Sequence, residues 1–439
     1  MKKSLSFTDI MALGFMTFAF FLGAGNIIFP PQAGQQAGDH LVPAMFGFLS
    51  TGVTLPLVAI IAVAVAGGWK GMTQDLPSKV ATLLAVLIFI VIGPAFAAPR
   101  AGLVAYEMGV KPFIADAGQL SLTIFSIVFF GIAMFLSRSR GNLVDMVGKF
   151  LTPILFIALV ALAVSVVANP QDAIEAARGD YIDMPFLKGF VEGYNTLDAV
   201  AALLFGMVIV DAVRSKGVTD ETATRKYLVM AGLIAAAGLA FVYISLFYLG
   251  ATSVNIAANA SNGGDILAIY VAALFGPAGQ MMLSLIVLLA CLTTVVGLIS
   301  ACSEYFSSLT SWSYEKWAVV LSVTCCVVAN VGLNQLIVLS LPALFALYPI
   351  AMALVILTFI RRWLPNPALS YRVVMLVALS FSMIDAAKVA GFNVSAFRVL
   401  PLFDYGMAWL MPTFAALVVT YFVGSQKAVK QEQQEGQTV

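Results

Sequence analysis

Long apolar segments recur along nearly the whole chain and are separated by short polar stretches. Each segment has about 20 residues, the length at which an α-helix crosses the hydrocarbon core of a bilayer. The predicted spans are residues 9–31, 41–66, 80–108, 120–137, 143–168, 190–213, 227–249, 280–305, 317–331, 336–360, 372–390 and 405–423. The pattern predicts an all-α integral membrane protein with about 12 transmembrane helices.

The composition agrees with lipid as the solvent of this chain. Of the 439 residues, 61% are hydrophobic and 10% are charged, whereas soluble domains have about 25% charged residues. The first span follows Lys2 and Lys3, but it is too long for a signal peptide and lacks a small-residue cleavage pattern. We therefore expect it to be retained. The net charge of +1 gives no indication of a nucleic acid partner.

The positions of Lys and Arg predict the orientation of the spans, because cytoplasmic loops carry an excess of both. With the N-terminus inside, most of these residues, Arg140 among them, fall in cytoplasmic loops. The cations of the outer loops are Lys111, Arg178, Lys188 and Arg398. We predict that both termini are cytoplasmic and that the polar tail, residues 425–439, is disordered.

The sequence contains no motif for ATP hydrolysis, catalysis or a metal cluster. The P-loop pattern G-x-x-x-x-G-K-[ST] is absent, so no ATPase subunit is implied. Cys291, Cys302, Cys325 and Cys326 lie in apolar runs and are interpreted as buried small residues. His40 has no His or Cys at ligand spacing and is interpreted as a loop residue. We predict passive or ion-coupled transport and no enzymatic activity.

The first span is interrupted in FFLGAGNIIFPP, at residues 20–31. Gly23 and Gly25 leave helical geometry easily, and Pro30 and Pro31 lack a backbone donor. One interpretation is a kink or a close glycine contact with another helix. The other is a broken helix that lines a cavity, because lipid cannot satisfy freed backbone groups.

The sixth span has a second interruption, in GFVEGYNTLDAVAALLFG. Asn195, Thr196 and Asp198 are polar residues inside an apolar segment. A carboxylate at this depth indicates a functional site, although pairing with a nearby cation or helix terminus is an alternative. The second interruption favours the interpretation of the first one as a broken helix.

The positions of the two interruptions predict an inverted repeat. Five helices separate their starting points, so the two halves have opposite orientations, with the discontinuous helices meeting near the bilayer midplane. Residues 1–168 would form the first five-helix repeat, residues 169–189 an extracytoplasmic loop, and residues 190–361 the second repeat. Spans 11 and 12, residues 362–424, lie outside the repeat.

Polar side chains also share one face of the eighth span. Ala290, Thr293 and Thr294 are at positions i, i+3 and i+4 in LLACLTTVVGLIS. Two hydroxyls and a backbone carbonyl provide the oxygen ligands that small alkali cations prefer. Alternatively, each threonine bonds to carbonyls of its own helix.

Other charges lie within the spans. Arg100 follows Pro99 in the third span and could pair with Glu107, Asp385 or Asp198 in a gating or structural role, with direct contact to the substrate as the alternative. Asp385 and Lys388, three residues apart on the eleventh span, are expected to satisfy each other.

Four segments carry a resemblance to a known family: GFMTFAFFLGAGNIIFPP, GPAFAAPRAG, GYNTLDAVAALLFGMVIVDAVRSKGVT and ACLTTVVGLISACSEYF. They resemble the bacterial branched-chain amino acid:cation symporters, the LIV-II carriers, and the similarity extends through all predicted spans. This family is similar in turn to transporters with the LeuT fold, a 5+5 inverted repeat with discontinuous helices 1 and 6. The resemblance implies import of leucine, isoleucine and valine driven by Na⁺ or H⁺.

The resemblance also implies roles for particular residues. The N–H groups of Ala24 and Gly25 would bind the substrate carboxylate at a helix N-terminus. Asn26 and Thr196 match polar positions that flank the breaks, and Asp198 would receive the substrate ammonium. The implied Na⁺ ligands are the carbonyls of Ala19 and Leu22, together with Ala290, Thr293 and Thr294.

The sequence departs from the two-ion transporters of that fold in helix 7, YLVMAGLIAAAGLAFVYISLFYLG, which has no asparagine for a second cation site. We expect Na⁺ as the coupling ion, with H⁺ as the alternative, and no organic cofactor. The expected location is the bacterial cytoplasmic (inner) membrane. Other functions that fit are a carrier of another small solute on the same fold, a channel or a sensor.

Overall fold

The computed structural model describes residues 4–115, 117–138, 149 and 152–435, and side chains as far as Gln426. These residues form α-helices, several of which are joined by short 3-10 or π turns. The helices are α1 Phe7–Phe21, α2 Ala24–Ala37, α3 Leu41–Leu49, α4 Leu55–Ala66, α5 Trp69–Met72, α6 Ser78–Ile90, α7 Ala97–Gly109, α8 Gln119–Ser137, α9 Thr152–Ala168, α10 Pro185–Glu192, α11 Asp198–Ser215, α12 Glu221–Ala251, α13 Gly263–Leu309, α14 Tyr314–Ala329, α15 Leu333–Ile360, α16 Pro367–Val389 and α17 Leu410–Glu435. Arg140 and the predicted start of the fifth span at residue 143 lie outside the described residues.

The predicted spans correspond to these helices, and several spans consist of two pieces. The first span contains α1 and α2, which separate at Leu22 and Gly23. The sixth contains α10 and α11, which are bent by 43° at a short break. π turns join α3 to α4 and α6 to α7. The interruptions predicted in the first and sixth spans are therefore present in the structure.

Several helical stretches are long and apolar enough to cross a membrane. The described residues contain 7 of them, or 8 if the pair α10 and α11 is one span. Shorter apolar helices are Phe7–Phe21 and Thr152–Ala168, together with the first part of α17. The chain is thus a multi-pass membrane protein, and the number of twelve spans stays a prediction. α17 continues to Glu435, beyond residue 425, where the sequence predicts that a disordered tail begins.

Polar side chains define where several helices begin. Ser6 accepts a hydrogen bond from the backbone N–H of Asp9 at 3.2 Å, and so caps α1. Asp220 accepts one from Ala223 N–H at 3.0 Å, at the start of α12. Each cap satisfies an N–H group that has no partner inside its own helix. α1 and α12 therefore begin directly after these polar residues.

α13 is longer than the eighth span predicted from the sequence. It begins at Gly263 and has 47 residues, with a kink at Gly276, where φ is 56°. The helix therefore begins 17 residues before residue 280, where the sequence predicts the start of the eighth span. Glycine adopts a positive φ at little cost, and Pro277 lacks the N–H donor of a regular helix. This Gly-Pro pair, which is typical of a loop, therefore marks a kink within the helix. α10 likewise begins within the loop predicted for residues 169–189.

The chain divides into two compact units, Met1–Ala64 with Phe89–Val338, and Val65–Ile88 with Leu339–Val439. The first unit contains residues of both predicted repeats, because α1 and α2 pack against α12 and α13. A Cβ on Gly34 would lie 2.1 Å from the Phe247 carbonyl oxygen, and one on Gly250 would lie 2.0 Å from that of Pro31. Glycine at both positions lets α2 and α12 meet backbone to backbone. The repeat boundaries stay predictions.

In the second unit, the charges of α16 have partners other than those expected. Lys388 Nζ donates to the carbonyl oxygens of Phe403 at 2.8 Å and Asp404 at 3.0 Å. Asp385 Oδ1 accepts from Ala408 N–H at 3.3 Å. The expected pairing of Asp385 with Lys388 is not among the ion pairs between described residues, since loop backbone groups outcompete a partner one turn away.

α8 exposes an apolar face that suits lipid. Leu120, Ile124, Ile127 and Phe135 are 74%, 55%, 60% and 72% exposed. Soluble monomers rarely expose contiguous apolar patches of this kind. In a bilayer the same face is solvated by hydrocarbon, in agreement with the membrane location.

Candidate functional site

The break between α1 and α2 frees backbone N–H groups in the protein interior. Leu22 ends α1, and Gly23 adopts an extended conformation before α2 begins at Ala24. Asn26 Oδ1 accepts a hydrogen bond from Gly23 N–H at 3.1 Å, so one side chain of α2 caps its own N-terminus. The first N–H groups of a helix have no partner within it. Ala24 and Gly25, both buried, therefore present donors at the positive end of the α2 dipole.

The break between α10 and α11 has a strained backbone. A 3-10 turn covers Gly193–Thr196, and Leu197 follows it with φ at 69°, in the left-handed region. A residue with a Cβ adopts that conformation at a cost of about 1–3 kcal/mol, and such residues concentrate at functional sites. Thr196 Oγ1 donates to the Gly193 carbonyl at 2.9 Å and accepts from Asp198 N–H at 3.4 Å. This hydroxyl connects the two sides of the break.

The two breaks contact each other, although they lie far apart in the chain. A Cβ on Gly25 would lie 3.1 Å from the Asn195 carbonyl oxygen and 3.1 Å from Thr196 Cα. These distances are tighter than most real Cβ contacts, so glycine is needed for the approach. The two interpretations of the GAGN segment are therefore not exclusive. The helix is broken at this segment, and Gly25 makes a close contact with the other break.

A buried network of hydrogen bonds connects the breaks to α12. Asn26 Nδ2 donates to Asp198 Oδ2 at 2.6 Å, and Tyr243 OH donates to the same oxygen at 2.7 Å. The Asn26 amide also contacts Tyr243 OH. Asn26 and Asp198 are each 2% exposed, and Tyr243 is 0% exposed. The network holds one carboxylate in a fixed position within a region that excludes water.

Tyr243 was missed by reasoning from the sequence. It belongs to predicted helix 7, where a tyrosine within an apolar run is common in membrane proteins and does not stand out. Its ring packs edge to face on Phe48 with centroids 5.2 Å apart. A possible signal was its polar hydroxyl in the middle of a long span, where such a group needs a partner.

Arg100 approaches the same region from α7. Its Nη2 donates to the Asn195 carbonyl oxygen at 3.0 Å, and its Cζ lies 5.6 Å from the centre of the Phe29 ring. Glu107, one of the partners expected for Arg100, instead forms an ion pair of 2.6 Å with Lys111. Arg100 and Asp198 interact electrostatically across the break. Asp198 is thus the expected partner that interacts with Arg100, whereas the hydrogen bond to the Asn195 carbonyl was not predicted.

The two threonines of α13 lie against the end of α1. Thr293 Oγ1 donates to the Ala19 carbonyl oxygen at 3.2 Å, and Thr294 Oγ1 does so at 3.0 Å. Thr293 also contacts the carbonyl oxygens of Leu289 at 2.9 Å and Ala290 at 3.0 Å. Thr293 thus bonds to carbonyls of its own helix, which was the alternative to a cation site, and also to α1; the cation site stays a prediction.

This oxygen cluster lies next to the α1–α2 break. A Cβ on Gly23 would lie 3.0 Å from Thr294 Cγ2. Leu22, a predicted ligand, is fully buried beside Gly23, but among the hydrogen bonds of the described residues its carbonyl accepts none from either threonine. The described residues contain no group of three His, Cys, Asp or Glu side chains that could hold a metal ion. A donor set of carbonyl and hydroxyl oxygens suits an alkali cation better than a transition metal.

The chain is similar to known transport proteins along nearly its whole length. A family model described as "Branched-chain amino acid transport protein" matches residues 6–427. The branched-chain amino acid transport system 2 carrier protein of Pseudomonas aeruginosa is 47% identical over 416 residues, which are 94% of this chain and 95% of that protein. The branched-chain amino acid permease BrnQ of Escherichia coli K12 is 42% identical over 423 residues, 95% and 96% of the two chains. BraB of Bacillus subtilis is 40% identical over 443 residues, 98% and 100%.

Solved structures of transporters have a similar fold. A nucleobase-cation-symport-1 family transporter, in a closed conformation with bromovinylhydantoin bound, superposes with a TM-score of 0.54 at 15% identity, covering 96% of this chain and 93% of that one. A Na⁺-coupled sialic acid symporter in a substrate-bound outward-open state superposes with a TM-score of 0.59 at 12% identity, covering 94% and 90%. At these identities the similarity shows the fold alone, which is LeuT-like.

Proposed function

Since this chain belongs to the family of branched-chain amino acid transport proteins, we propose that it is a secondary symporter that imports leucine, isoleucine and valine. The members of this family are transporters rather than enzymes. The observation that carries the proposal is the contact between the two helix breaks, at Gly25 and at Asn195 and Thr196. Discontinuous helices that meet in this way form substrate sites in transporters that work by alternating access.

The proposed substrate site uses both breaks. The substrate carboxylate is bound by the N–H groups of Ala24 and Gly25, at the N-terminus of α2. The substrate ammonium is bound by Asp198, whose carboxylate accepts hydrogen bonds from Asn26 of α2 and Tyr243 of α12. In support of this assignment, a buried carboxylate needs a positive partner, and an amino acid brings one.

The branched side chain of the substrate is placed among buried aromatic rings next to the break. Phe20 and Phe21 of α1 pack on Phe205 of α11, with ring centroids 5.3 Å and 5.2 Å apart. All three rings are at most 3% exposed. Burial of aliphatic groups there is favourable by about 0.8 kcal/mol per methylene. This environment supports preference for leucine, isoleucine and valine over polar amino acids.

Na⁺ is the proposed coupling ion, bound by Ala19, Leu22, Ala290, Thr293 and Thr294. The donor set fits, because the hydroxyls of Thr293 and Thr294 lie 3.2 Å and 3.0 Å from the Ala19 carbonyl oxygen. The ion would hold the end of α1 against α13, next to the break that binds the substrate. We expect coupling, because Thr294 lies next to Gly23, and the proposed carboxylate donors Ala24 and Gly25 follow Gly23 directly. Coupling to H⁺ through Asp198 is the alternative.

The proposed location is the bacterial cytoplasmic membrane with both termini inside. The support for this orientation is the concentration of Lys and Arg in the loops on one side of the predicted spans. The proposed function requires the substrate, the ion and the bilayer, and no nucleic acid partner.

Purified protein in liposomes tests the proposal. Uptake of radiolabelled leucine is measured with an inward Na⁺ gradient, with an inward H⁺ gradient, and with neither. We expect accumulation with the Na⁺ gradient, inhibited by isoleucine and valine. Accumulation with the H⁺ gradient alone would assign H⁺ as the coupling ion. An absence of leucine uptake under all three conditions, with protein that binds a different solute, would indicate a carrier of another substrate.

A further inference from the structure

Arg100 is a buried cation whose hydrogen-bonding capacity is only partly used. The residue is 5% exposed, and its Nε has no hydrogen-bond partner among the described residues. No ion pair between described residues includes it. A guanidinium has five N–H donors, and burial of such a cation without an anion is unfavourable. Arg100 therefore has no anion in direct contact with it, and Asp198 acts on it only electrostatically, without forming an ion pair.

The guanidinium lies at the N-terminus of α2, where the proposed function places the substrate carboxylate. A Cβ on Gly25 would lie 3.0 Å from Arg100 Nη2. α2 has 14 residues, so its first N–H groups carry a favourable partial charge for anions. The Phe29 ring, one turn further along α2, lies 5.6 Å from Arg100 Cζ and covers one side of the cation.

Two opposite buried charges thus lie next to one short segment. Arg100 is next to Gly25, and Asp198 accepts a hydrogen bond from the adjacent Asn26. A zwitterionic amino acid carries the complementary pair of charges, an ammonium and a carboxylate, on one carbon atom. We propose that Arg100 binds the carboxylate of the substrate amino acid while Asp198 binds the ammonium. This assignment rests on the proposed function and adds a side chain to the backbone donors of Ala24 and Gly25.

The competing explanation is purely structural. Arg100 Nη2 donates to the Asn195 carbonyl at 3.0 Å, so the side chain could serve only to hold the α10–α11 break in position. In that case its loss would weaken the binding of every ligand of the site by the same factor. A carboxylate partner is distinguished by its selectivity for ligands that carry a carboxylate.

Leucine and leucinamide separate the two explanations, because leucinamide keeps the ammonium and the side chain but has no carboxylate. Binding of tritiated leucine to purified protein, and its displacement by unlabelled leucinamide, are measured at a pH of about 6.5, below the pKa of about 7.7–8.0 of an α-amino group. Wild-type protein is expected to prefer leucine at least about tenfold. Arg100→Gln should weaken leucine at least about tenfold and leucinamide less than about twofold, so that the preference for leucine falls at least about fivefold.

A second variant keeps the test decisive if Arg100→Gln does not fold. Arg100→Lys retains the charge but not the planar fork, and it should reduce the preference for leucine to an intermediate value. Arg178→Gln, at an exposed arginine whose partner is Glu175, is the control and should match wild type. An unchanged ratio of leucine to leucinamide affinity in the folded variants, with or without equal losses for both ligands, would overturn the assignment of Arg100. If wild-type protein does not bind leucine, the proposed function itself fails.

Discussion

The side-chain amide of Asn26 donates a hydrogen bond of 2.6 Å to Oδ2 of Asp198, although 172 residues separate them in the chain. One residue belongs to the helix that follows the first break, and the other begins the helix that follows the second. The bond therefore connects the two discontinuous spans at the point where they meet. Because both side chains are buried, any change to either one acts directly on the contact between the breaks.

Gly25→Leu should abolish leucine binding while the protein still inserts into the membrane. A Cβ at this position would lie 3.0 Å from Arg100 Nη2 and 3.1 Å from the Asn195 carbonyl oxygen, and the rest of the leucine side chain has no space. Binding of radiolabelled leucine to purified protein checks the expectation, with size-exclusion chromatography as the measure of folding. Gly131→Leu on α8 is the matched control, since a Cβ there meets nothing within 4 Å. Normal leucine binding by folded Gly25→Leu protein would show that the GAGN segment does not bind the substrate.

Thr293→Ala and Thr294→Ala should each raise the Na⁺ concentration needed for half-maximal leucine uptake. Each loses a hydroxyl that contacts the Ala19 carbonyl, and the loss of about 1 kcal/mol corresponds to roughly a fivefold change. Serine at either position should have a smaller effect, because it keeps the hydroxyl. Uptake is measured at a series of Na⁺ concentrations with ionic strength held constant.

The control for the threonine variants is Thr324→Ala. The Thr324 hydroxyl donates to the Val320 carbonyl of its own helix at 2.8 Å, on an exposed face of α14. Its loss should leave the Na⁺ dependence unchanged. If both alanine variants of the α13 threonines also keep the wild-type Na⁺ dependence, this cluster is not the cation site.

Asp198→Asn should weaken the binding of leucine itself. Asparagine keeps the size and a hydrogen-bond acceptor but loses the charge that the substrate ammonium needs. The expected loss is about 1.5–3 kcal/mol, roughly 10- to 150-fold in affinity, as for a hydrogen bond to a charged group. Equilibrium binding and counterflow are measured on the same purified variant. Intact binding and exchange, combined with lost gradient-driven accumulation, would instead identify Asp198 as a proton carrier.

Tyr243→Phe should reduce leucine affinity by a smaller factor than Asp198→Asn. The variant removes the 2.7 Å hydrogen bond to Asp198 Oδ2 but keeps the ring that packs on Phe48. Loss of one neutral donor amounts to about 0.5–1.5 kcal/mol, roughly two- to thirteenfold. Tyr227→Phe is the control on the same helix, because the Tyr227 hydroxyl bonds to Leu5 N–H at 3.0 Å, away from the breaks. Equal affinities for Tyr243→Phe and wild type would show that the hydroxyl does not position Asp198 for the substrate.

The sequence by itself determined the class of protein and the location of the interruptions. Lipid offers no hydrogen-bond partners, so the spans must be apolar, and any glycine, proline or carboxylate within them is visible as an exception. The break at Gly23 and the one before Asp198 were readable for this reason. The start of α13 at Gly263 could not be predicted from the sequence, because Gly276 and Pro277 form a pair that is typical of the end of a loop.

The tertiary structure decided which of these exceptions meet and which partners they have. Tyr243 lies 217 residues from Asn26 in the chain, and Arg100 lies 95 residues from Asn195. Their local sequences contain an ordinary tyrosine in an apolar helix and an arginine that could pair with several acids. Only the packing of α7 and α12 against α2 and the α10–α11 break selects the partners of each. That selection depends on backbone approaches at Gly25, Gly34 and Gly250, where a side chain on either helix would have kept the polar groups apart.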